Sequence, residues 1–261
     1  MAQKKEQAVE VSVRIAARRS TVAEFLARPE LFEKWMGVGS RIEPLTGGEV
    51  IVRLHGGDVA LGRVVEIVPE RRIVFTWGHQ DGKYGLAPGA TGVTIELADA
   101  DGGTLVTLRH EGLPDDSMRH GMTMGWRHYL SLLAVSAADH QFGGAIGPLI
   151  ASYVAAWNET DPHRRMELLN ACWRESGVYR DRMGAIEGKS NLNEHIATSQ
   201  QFAPGLRLEL AGPADQCQGA VRFPWRIVDP NRKVVFTGAC FGTLDADGKL
   251  AAVVGFWDAP A

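Results

Sequence analysis

The sequence predicts two α+β domains in tandem, each a curved sheet wrapped by helices. Three observations carry that expectation. A succession of alternating strands in the first half ends in one long amphipathic helix. The pattern then restarts near Gly143-Gly144 with a helical period instead of a strand period. The second half closes on strands separated by turns rich in Asn, Asp and Gly. A chain of 261 residues holds one large domain or two small ones, at ~150 residues per domain. Its 45% hydrophobic content is enough for two real cores. The expected boundaries are residues 8–139 and 144–258.

In the first half, Val9 to Ala16 alternates, with Val9, Val11, Val13 and Ile15 on one side, and reads as a half-buried strand. Ser20 reads as the N-cap of a helix over Thr21 to Ala27. Pro29 opens a second short helix through Trp35-Met36, which Gly37 closes. Strands are then expected at Ser40 to Pro44, Glu49 to His55, Val59 to Val68, Arg71 to Trp77, Gly92 to Ala98 and Thr104 to Glu111. Turns fall at Thr46-Gly47-Gly48, Gly56-Gly57-Asp58, Pro69-Glu70 and Asp101-Gly102-Gly103. The stretch from Asp81 to Gly89 reads as a loop long enough to serve as a lid or partner contact. Met118, Met122, Trp126, Tyr129, Leu130 and Leu133 recur at helical spacing, so Asp115 to Asp139 reads as the closing helix. One strand, two short helices, a meander and a long helix make a helix-grip layout.

The second half begins with a helix over Ile146 to Asn158 that places Ile150, Val154 and Trp157 on one face. Thr160 or Asp161 caps the next, with Pro162 in its first turn and Met166, Leu169 and Cys172-Trp173 on its apolar side. A short strand, Gly177 to Asp181, follows, with Gly184 in the turn after it. Ser190 to Phe202 is a third helix. Four strands complete the chain: Leu206 to Ala211, Gln216 to Val228, Val234 to Leu244 and Leu250 to Trp257.

Composition excludes several function classes. A net charge of -3 gives no basic stripe for nucleic acid. The one dense positive cluster, Lys4-Lys5 followed by Arg14, Arg18 and Arg19, reads as a solvated surface. Cys172, Cys217 and Cys240 lack metal spacing and leave one thiol over in any disulfide scheme, which suits a reducing cytoplasm. No apolar signal core opens the chain, and the longest apolar stretch, Ala145 to Trp157, is too short to span a membrane. His120 and His128 lie about two turns apart, out of reach of one metal, so no metal or other cofactor is expected. There is no phosphate loop and no Gly-x-Ser-x-Gly elbow.

Two sets of motifs carry family resemblances. Phe32-Glu33-Lys34-Trp35-Met36, Gly62-Arg63-Val64-Val65-Glu66-Ile67, Arg72-Ile73-Val74-Phe75-Thr76-Trp77 and His110-Glu111-Gly112-Leu113-Pro114 leading to Gly125-Trp126 resemble the START-like (SRPBCC) superfamily. The branch is that of homologues of the activator of the heat-shock-protein-90 ATPase, over about residues 8–138. That family includes lipid binders and cyclases, so the resemblance implies a fold that hosts sites without dictating them. Tyr153-Val154-Ala155-Ala156-Trp157-Asn158 with Asp161, Val178-Tyr179-Arg180-Asp181, Glu187-Gly188-Lys189 and Gly255-Phe256-Trp257-Asp258 are similar to the nuclear-transport-factor-2-like superfamily. Here the branch is SnoaL and ketosteroid isomerase, over about residues 144–258. The resemblance implies a cone-shaped α+β barrel and a homodimer formed through the open sheet.

By motif position, Tyr153 matches that family's oxyanion tyrosine and Asp181 its general base. The third partner there is a protonated carboxylic acid on the penultimate strand. Counting back from the Asp247-Gly248-Lys249 turn puts Cys240 in its place, and a thiol is a poor donor. A bland reading stands beside each: a buried tyrosine that finds one partner, an Asp181 paired with Arg180 or Arg182, and Asp258 at the surface. Arg222 and Arg226 share one strand face and Val221, Phe223, Trp225 and Ile227 the other. Either set can line the pocket, because Pro224 marks an edge or bulge that could reset the alternation. Trp157, Phe223, Trp225 and Cys240 are the candidate ligand contacts of the second domain. Trp77, His110, Met122 and Trp126 are those of the first, although a lone histidine on an apolar face is more often a satisfied core residue.

The function expected is binding of a small hydrophobic or aromatic-carbonyl ligand, with isomerase- or cyclase-like acid-base chemistry at Tyr153 and Asp181. The rival is a non-enzymatic interaction protein, a co-chaperone or stress-response module with a chaperone as partner and the second domain serving to dimerise. The rival would show a filled first cavity; a binder would show an open one.

Overall fold

The computed structural model describes residues 8–54 and 56–258. The Lys4-Lys5 cluster, and His55 at the end of an expected strand, lie outside the described residues. The chain forms two units, the first ending at His140 and the second beginning at Gln141. Both mix helix and sheet in the expected α+β orders. Among the described residues no helix is long and apolar enough to cross a membrane.

The first unit runs β1 (Val9–Ile15), α1 (Arg19–Ala27), α2 (Pro29–Met36), β2 (Arg41–Ile42), β3 (Glu49–Arg53), β4 (Val59–Val68), β5 (Arg72–Trp77), β6 (Thr91–Ala100), β7 (Gly103–Glu111) and α3 (Asp116–Phe142). The strands make one antiparallel sheet in the order β1-β7-β6-β5-β4-β3-β2. Strand alternation sends Ile73, Phe75 and Trp77 of β5, Val93, Ile95 and Leu97 of β6, and Val106, Leu108 and His110 of β7 to the buried face. Against that face α3 lays Trp126, Leu130, Leu133 and Ala137, spaced by four, three and four residues.

His110 is fixed through both ring nitrogens. The Trp126 indole N–H donates to Nδ1 at 3.0 Å, and Nε2 lies 2.8 Å from Thr91 Oγ1. The Thr91 hydroxyl gives its single hydrogen to the Trp77 carbonyl at 2.9 Å. Nε2 must therefore be the donor to Thr91, which defines a neutral imidazole protonated on Nε2. The Trp77 and Trp126 ring centroids lie 5.2 Å apart, and His110 sits within 6.3 Å of both. Met122 packs partly buried against this cluster. Trp77, His110 and Trp126 are buried between sheet and helix.

Three expectations for this unit need correction. Ser20 does not cap α1: the helix begins at Arg19, because the Arg18 carbonyl already accepts the first intrahelical bond from the Val22 amide. The expected loop contains a turn of 3-10 helix at Lys83–Gly85, tied down by Lys83 Nζ on Asp58 at 2.9 Å. The strand expected over Ser40 to Pro44 shrinks to Arg41–Ile42, since the Ser40 hydroxyl turns inward to the Met36 carbonyl. Of the arginines in the expected basic surface, Arg19 pairs with Asp99 at 2.7 Å.

The second unit runs α4 (Ile146–Asn158), α5 (Pro162–Cys172), β8 (Trp173–Asp181), β9 (Gly184–Glu187), α6 (Lys189–Phe202), β10 (Arg207–Leu210), β11 (Asp215–Cys217), β12 (Ala220–Val228), β13 (Val234–Leu244) and β14 (Leu250–Trp257). Its sheet has the order β10-β12-β13-β14-β8-β9, with β11 also on β12, and only the β14–β8 pair is parallel. Asp161 is the N-cap of α5, its carboxylate accepting from the His163 and Arg164 amides at 2.9 Å. Burial of Trp173 recruits it to β8 instead of the helix: its ring stacks on Tyr153 at 5.8 Å and its backbone pairs with Leu250. Gly184 opens the short strand β9 in place of a turn.

The expected strand Gln216 to Val228 is two strands. Gln218 and Gly219 take positive φ of 50° and 79°, a two-residue hairpin turn whose right-handed twist matches the flanking strands. Pro224 neither bulges β12 nor resets its alternation. Its carbonyl accepts from the Ala211 amide, between the ends of β10 and β11, so its missing N–H faces the break between those two strands.

Burial holds the His110 imidazole down to about 4, against ~6.5 in an unfolded chain. Between these values the unfolded chain binds the extra proton, so stability falls as pH is lowered through the window. We expect denaturation of the full chain to lose on the order of 2–3 kcal/mol between pH 7 and 4 from this residue. The loss should be absent from the same comparison on His110→Gln; an equal pH dependence in both proteins would contradict the assignment.

Candidate functional site: an aromatic cavity in the second unit

The inner face of the second sheet is a grid with its centre left out. On β13, the central strand, every second side chain points inward, and three in succession are small: Gly238, Cys240 and Gly242. Pairing sets them between larger neighbours. Gly238 lies between Trp225 of β12 and Trp257 of β14, Cys240 between Phe223 and Gly255, and Gly242 between Val221 and Val253. The two indoles meet across Gly238 at 5.1 Å, edge to face. A Cβ there would stand 2.4 Å from the Trp225 ring and 2.1 Å from the Phe256 carbonyl oxygen. The helices α4 and α6 close the other side, leaving a cavity of about 520 Å³.

Tyr153, Trp157, Asp181, Phe223, Trp225 and Cys240 all line this one cavity. Tyr153 projects from α4, fully buried, stacked on Trp173 and edge-on to Phe223. Burial, assisted by Tyr179 and Cys240, raises its hydroxyl well above the ordinary tyrosine range, so it remains a proton donor. Asp181 ends β8 and is oriented by three hydrogen bonds. Its Oδ2 accepts from the Tyr179 hydroxyl at 2.9 Å, and its Oδ1 accepts from the amides of Met183 and Gly184 at 2.8 and 3.2 Å. An ionised carboxylate has about four acceptor sites, so Oδ2 keeps one open. Burial, then the neighbouring Asp181, holds the Tyr179 hydroxyl protonated. Burial and Asp181 likewise push the Cys240 thiol up to about 12, which keeps it an uncharged, weak donor.

These groups converge on Gly255. A side chain at that glycine would lie 3.4 Å from Asp181 Cβ, 3.6 Å from the Tyr179 hydroxyl and 3.7 Å from Cys240 Sγ. The Trp157 indole N–H, on the same cavity, is buried without a well-aligned hydrogen bond in the protein, and it lies near enough to the Tyr153 hydroxyl to hold back part of that group's upward shift. Tyr179 and His195 are among the lining residues that escape the sequence reading. Tyr179 was detectable as the same-face neighbour of Asp181, two positions earlier on the strand. His195, 5.8 Å from Tyr179 ring to ring, sits on α6 with no motif around it. The arrangement combines a directed carboxylate, two donors and an apolar wall. Such a set can hold a carbonyl oxygen and take a proton from the carbon beside it.

Other candidates lie elsewhere. Phe223, Trp225 and Ile227 face the cavity, whereas Arg222 and Arg226 face outward and pair with Asp215 and Glu209 at 2.8 and 3.0 Å. Asp258 is exposed and accepts from the Thr237 hydroxyl. Trp77, His110, Met122 and Trp126 belong to the core of the first unit. Among the described residues, no group of His, Cys, Asp and Glu could hold a metal ion.

Comparison with known proteins finds one family model and several solved structures similar to parts of this chain. Residues 16–137 match the family model described as Activator of Hsp90 ATPase homolog 1-like protein. A solved SnoaL-like family protein from Agrobacterium tumefaciens is 35% identical, with 43% of this chain and 96% of that one covered and a TM-score of 0.41. An AHSA1-like protein from Rhizobium etli is also 35% identical, over 53% of this chain and 86% of that one, with a TM-score of 0.43. The Aha1 dimer from Colwellia psychrerythraea is 19% identical, over 50% and 96%, with a TM-score of 0.43. The comparison with curated proteins finds no match.

Because the indoles meet only where β13 has no side chain, Gly238→Ala should cost about 1–3 kcal/mol of stability by overpacking. It should also change the tryptophan emission of the folded protein. Urea unfolding read by fluorescence checks both, with Ala239→Ser, which points to the opposite face, as the control. A Gly238→Ala protein as stable as the parent would contradict the packing described.

Proposed function

We propose that the second unit binds a small hydrophobic carbonyl compound and moves a proton on it. The observation that supports this most is the meeting of Tyr153, Trp157 and Asp181 on one aromatic cavity of about 520 Å³, a size suited to a small organic ligand. Asp181 is the general base. Its open Oδ2 site takes the proton from the carbon next to the carbonyl; the C–H electron pair becomes the C=C bond of an enolate as the carbonyl π pair moves onto oxygen. The Tyr153 O–H and the neighbouring Trp157 N–H stabilise that enolate, Trp157 filling the role for which the Cys240 thiol is too weak a donor. Return of the proton to a different carbon gives an isomer. Attack of the enolate carbon on a second carbonyl closes a ring, with the proton passing to the new alkoxide. The apolar walls exclude water and strengthen each of these contacts.

The first unit fits the interaction reading better, because Trp77, His110 and Trp126 pack ring against ring in its buried core, with Trp126 hydrogen-bonded to His110. A chaperone is the partner the family match suggests for that half. Homodimerisation belongs to the same proposal. Phe241 and Phe256 pair edge-on at 5.9 Å on the outward face of β13 and β14, 50% and 58% exposed, and such an uncovered aromatic pair favours a self-association surface. The expected cytoplasmic location accords with the free thiols of Cys172 and Cys240.

The chemistry is tested by deuterium uptake at the α-carbons of 2-tetralone, an apolar aromatic ketone, followed by NMR in D₂O. The protein should accelerate exchange. Asp181→Asn should reduce that acceleration by about 10²–10⁴, and Tyr153→Phe by about 10²–10³, with ketone affinity little changed in both. Exchange by Asp181→Asn at the parent rate would contradict the role given to the carboxylate.

A further inference from the structure

The cavity changes character from floor to mouth. Tyr153, Tyr179, Trp225 and Cys240 are buried, whereas Arg182, Met183, Thr198, Phe202, Arg207 and Phe236 are exposed lining residues and so form the rim. Arg182 and Arg207 are the two cationic residues among these six. Three other arginines of the unit are matched to carboxylates: Arg222 to Asp215, and Arg226 and Arg232 to Glu209. Arg182 and Arg207 have no carboxylate partner among the described residues. Arg182 is nevertheless held in place, its guanidinium 4.1 Å over the Trp257 ring and 5.8 Å from the Phe236 ring. An aromatic face contacts the guanidinium plane and leaves the N–H donors at its edge unspent, in the geometry that binds a planar oxyanion through two parallel bonds. Rings that line the cavity thus position an unused fork at its entrance.

We propose that the cavity selects an organic anion, an aryl or alkyl acid whose apolar body enters and whose charged end stays at the rim on Arg182 and Arg207. This rests on the reading that the cavity binds a small apolar ligand, and deepens it by naming the charge and orientation of that ligand. The half-buried carboxylate of Asp181, bonded to the Tyr179 hydroxyl and beside Gly255, favours the orientation: it repels an anionic group placed next to those buried residues, so the acid end lies outward. The carbon acid of the ligand is then the part presented to Asp181. Exposure of the rim limits the strength of the charged contact and makes it sensitive to salt.

A matched pair of fluorescent probes tests this on the full chain: 8-anilinonaphthalene-1-sulfonate and its uncharged parent, N-phenyl-1-naphthylamine. The parent protein should bind the sulfonate about three- to tenfold more tightly than the amine, the range of an exposed charge-assisted contact. Arg182→Gln with Arg207→Gln should remove that preference and leave the amine unchanged. Arg182→Lys, which keeps the charge and loses the fork, should retain part of it, and serves if the double variant does not fold. Equal affinities in the parent, or an equal loss of both probes in the arginine variants, would overturn the proposal. Cys240→Phe, which fills the cavity, should weaken both probes. An amine that fails to bind, or that ignores Cys240→Phe, would overturn the underlying cavity reading instead.

Discussion

The absence of side-chain bulk along the inner face of β13 is the constraint on which the second unit depends. Gly238, Cys240 and Gly242 occupy the centre of a sheet whose flanking strands carry Trp225, Phe223, Trp257 and Val253. Ordinary core packing would fill that centre with branched aliphatic residues to crystal-like density. Small residues there let the indoles of Trp225 and Trp257 touch across the strand and let the space above Cys240 and Gly255 stay open. Cavity, aromatic wall and the convergence of Asp181 and Tyr179 beside Gly255 all follow from it. The first unit shows the opposite solution. There the inward positions of β5, β6 and β7 are large, and His110 uses every hydrogen-bonding atom it has to join sheet to helix.

The same low-polarity setting governs the chemistry. Tyr153, Tyr179 and Cys240 are all pushed toward their protonated forms by burial, so the wall presents donors and a single directed carboxylate. A carboxylate held by two backbone amides and one phenol cannot swing away, and its remaining lone pair points from a fixed place. Preorganisation of this kind is where a protein gains over water, because the dipoles need no rearrangement as charge moves onto the substrate oxygen. The missing third acid is a difference of chemistry, since an indole N–H beside the Tyr153 hydroxyl stands on the same cavity. Positive charge at the rim and the half-buried carboxylate of Asp181 give the site a polarity.

Much of this was legible in the sequence, for physical reasons. Alternation and helical period located the elements of both units because their buried faces are strictly periodic, and α4, β4, β13 and β14 begin and end where the pattern does. Tyr153, Asp181 and Cys240 could be placed by motif position and strand counting. The hairpin at Gln218-Gly219 was hidden because glutamine is an uncommon residue at positive φ, which left Gly219 as a lone turn signal. Trp173 read as helix because its hydrophobicity fits either period, and only its stacking on Tyr153 decides. Which aromatic residues line a void and which pack into a core was not legible in either half. Trp77 and Trp126 have the same composition signal as Trp157 and Trp225, and the outcome turns on what stands opposite them. For Trp225 it is a glycine.

The central claim is that this opening in the sheet holds a small apolar ligand. Native mass spectrometry of the freshly purified full chain, before and after addition of excess 2-tetralone, tests it most directly and reports the oligomer in the same spectrum. The account predicts a small-molecule mass increment, either carried through purification or gained with the ketone, that is lost on denaturation and absent in a Cys240→Phe protein. A chain that stays at its bare mass in excess ketone, or a Cys240→Phe protein that takes up the same increment, would contradict it.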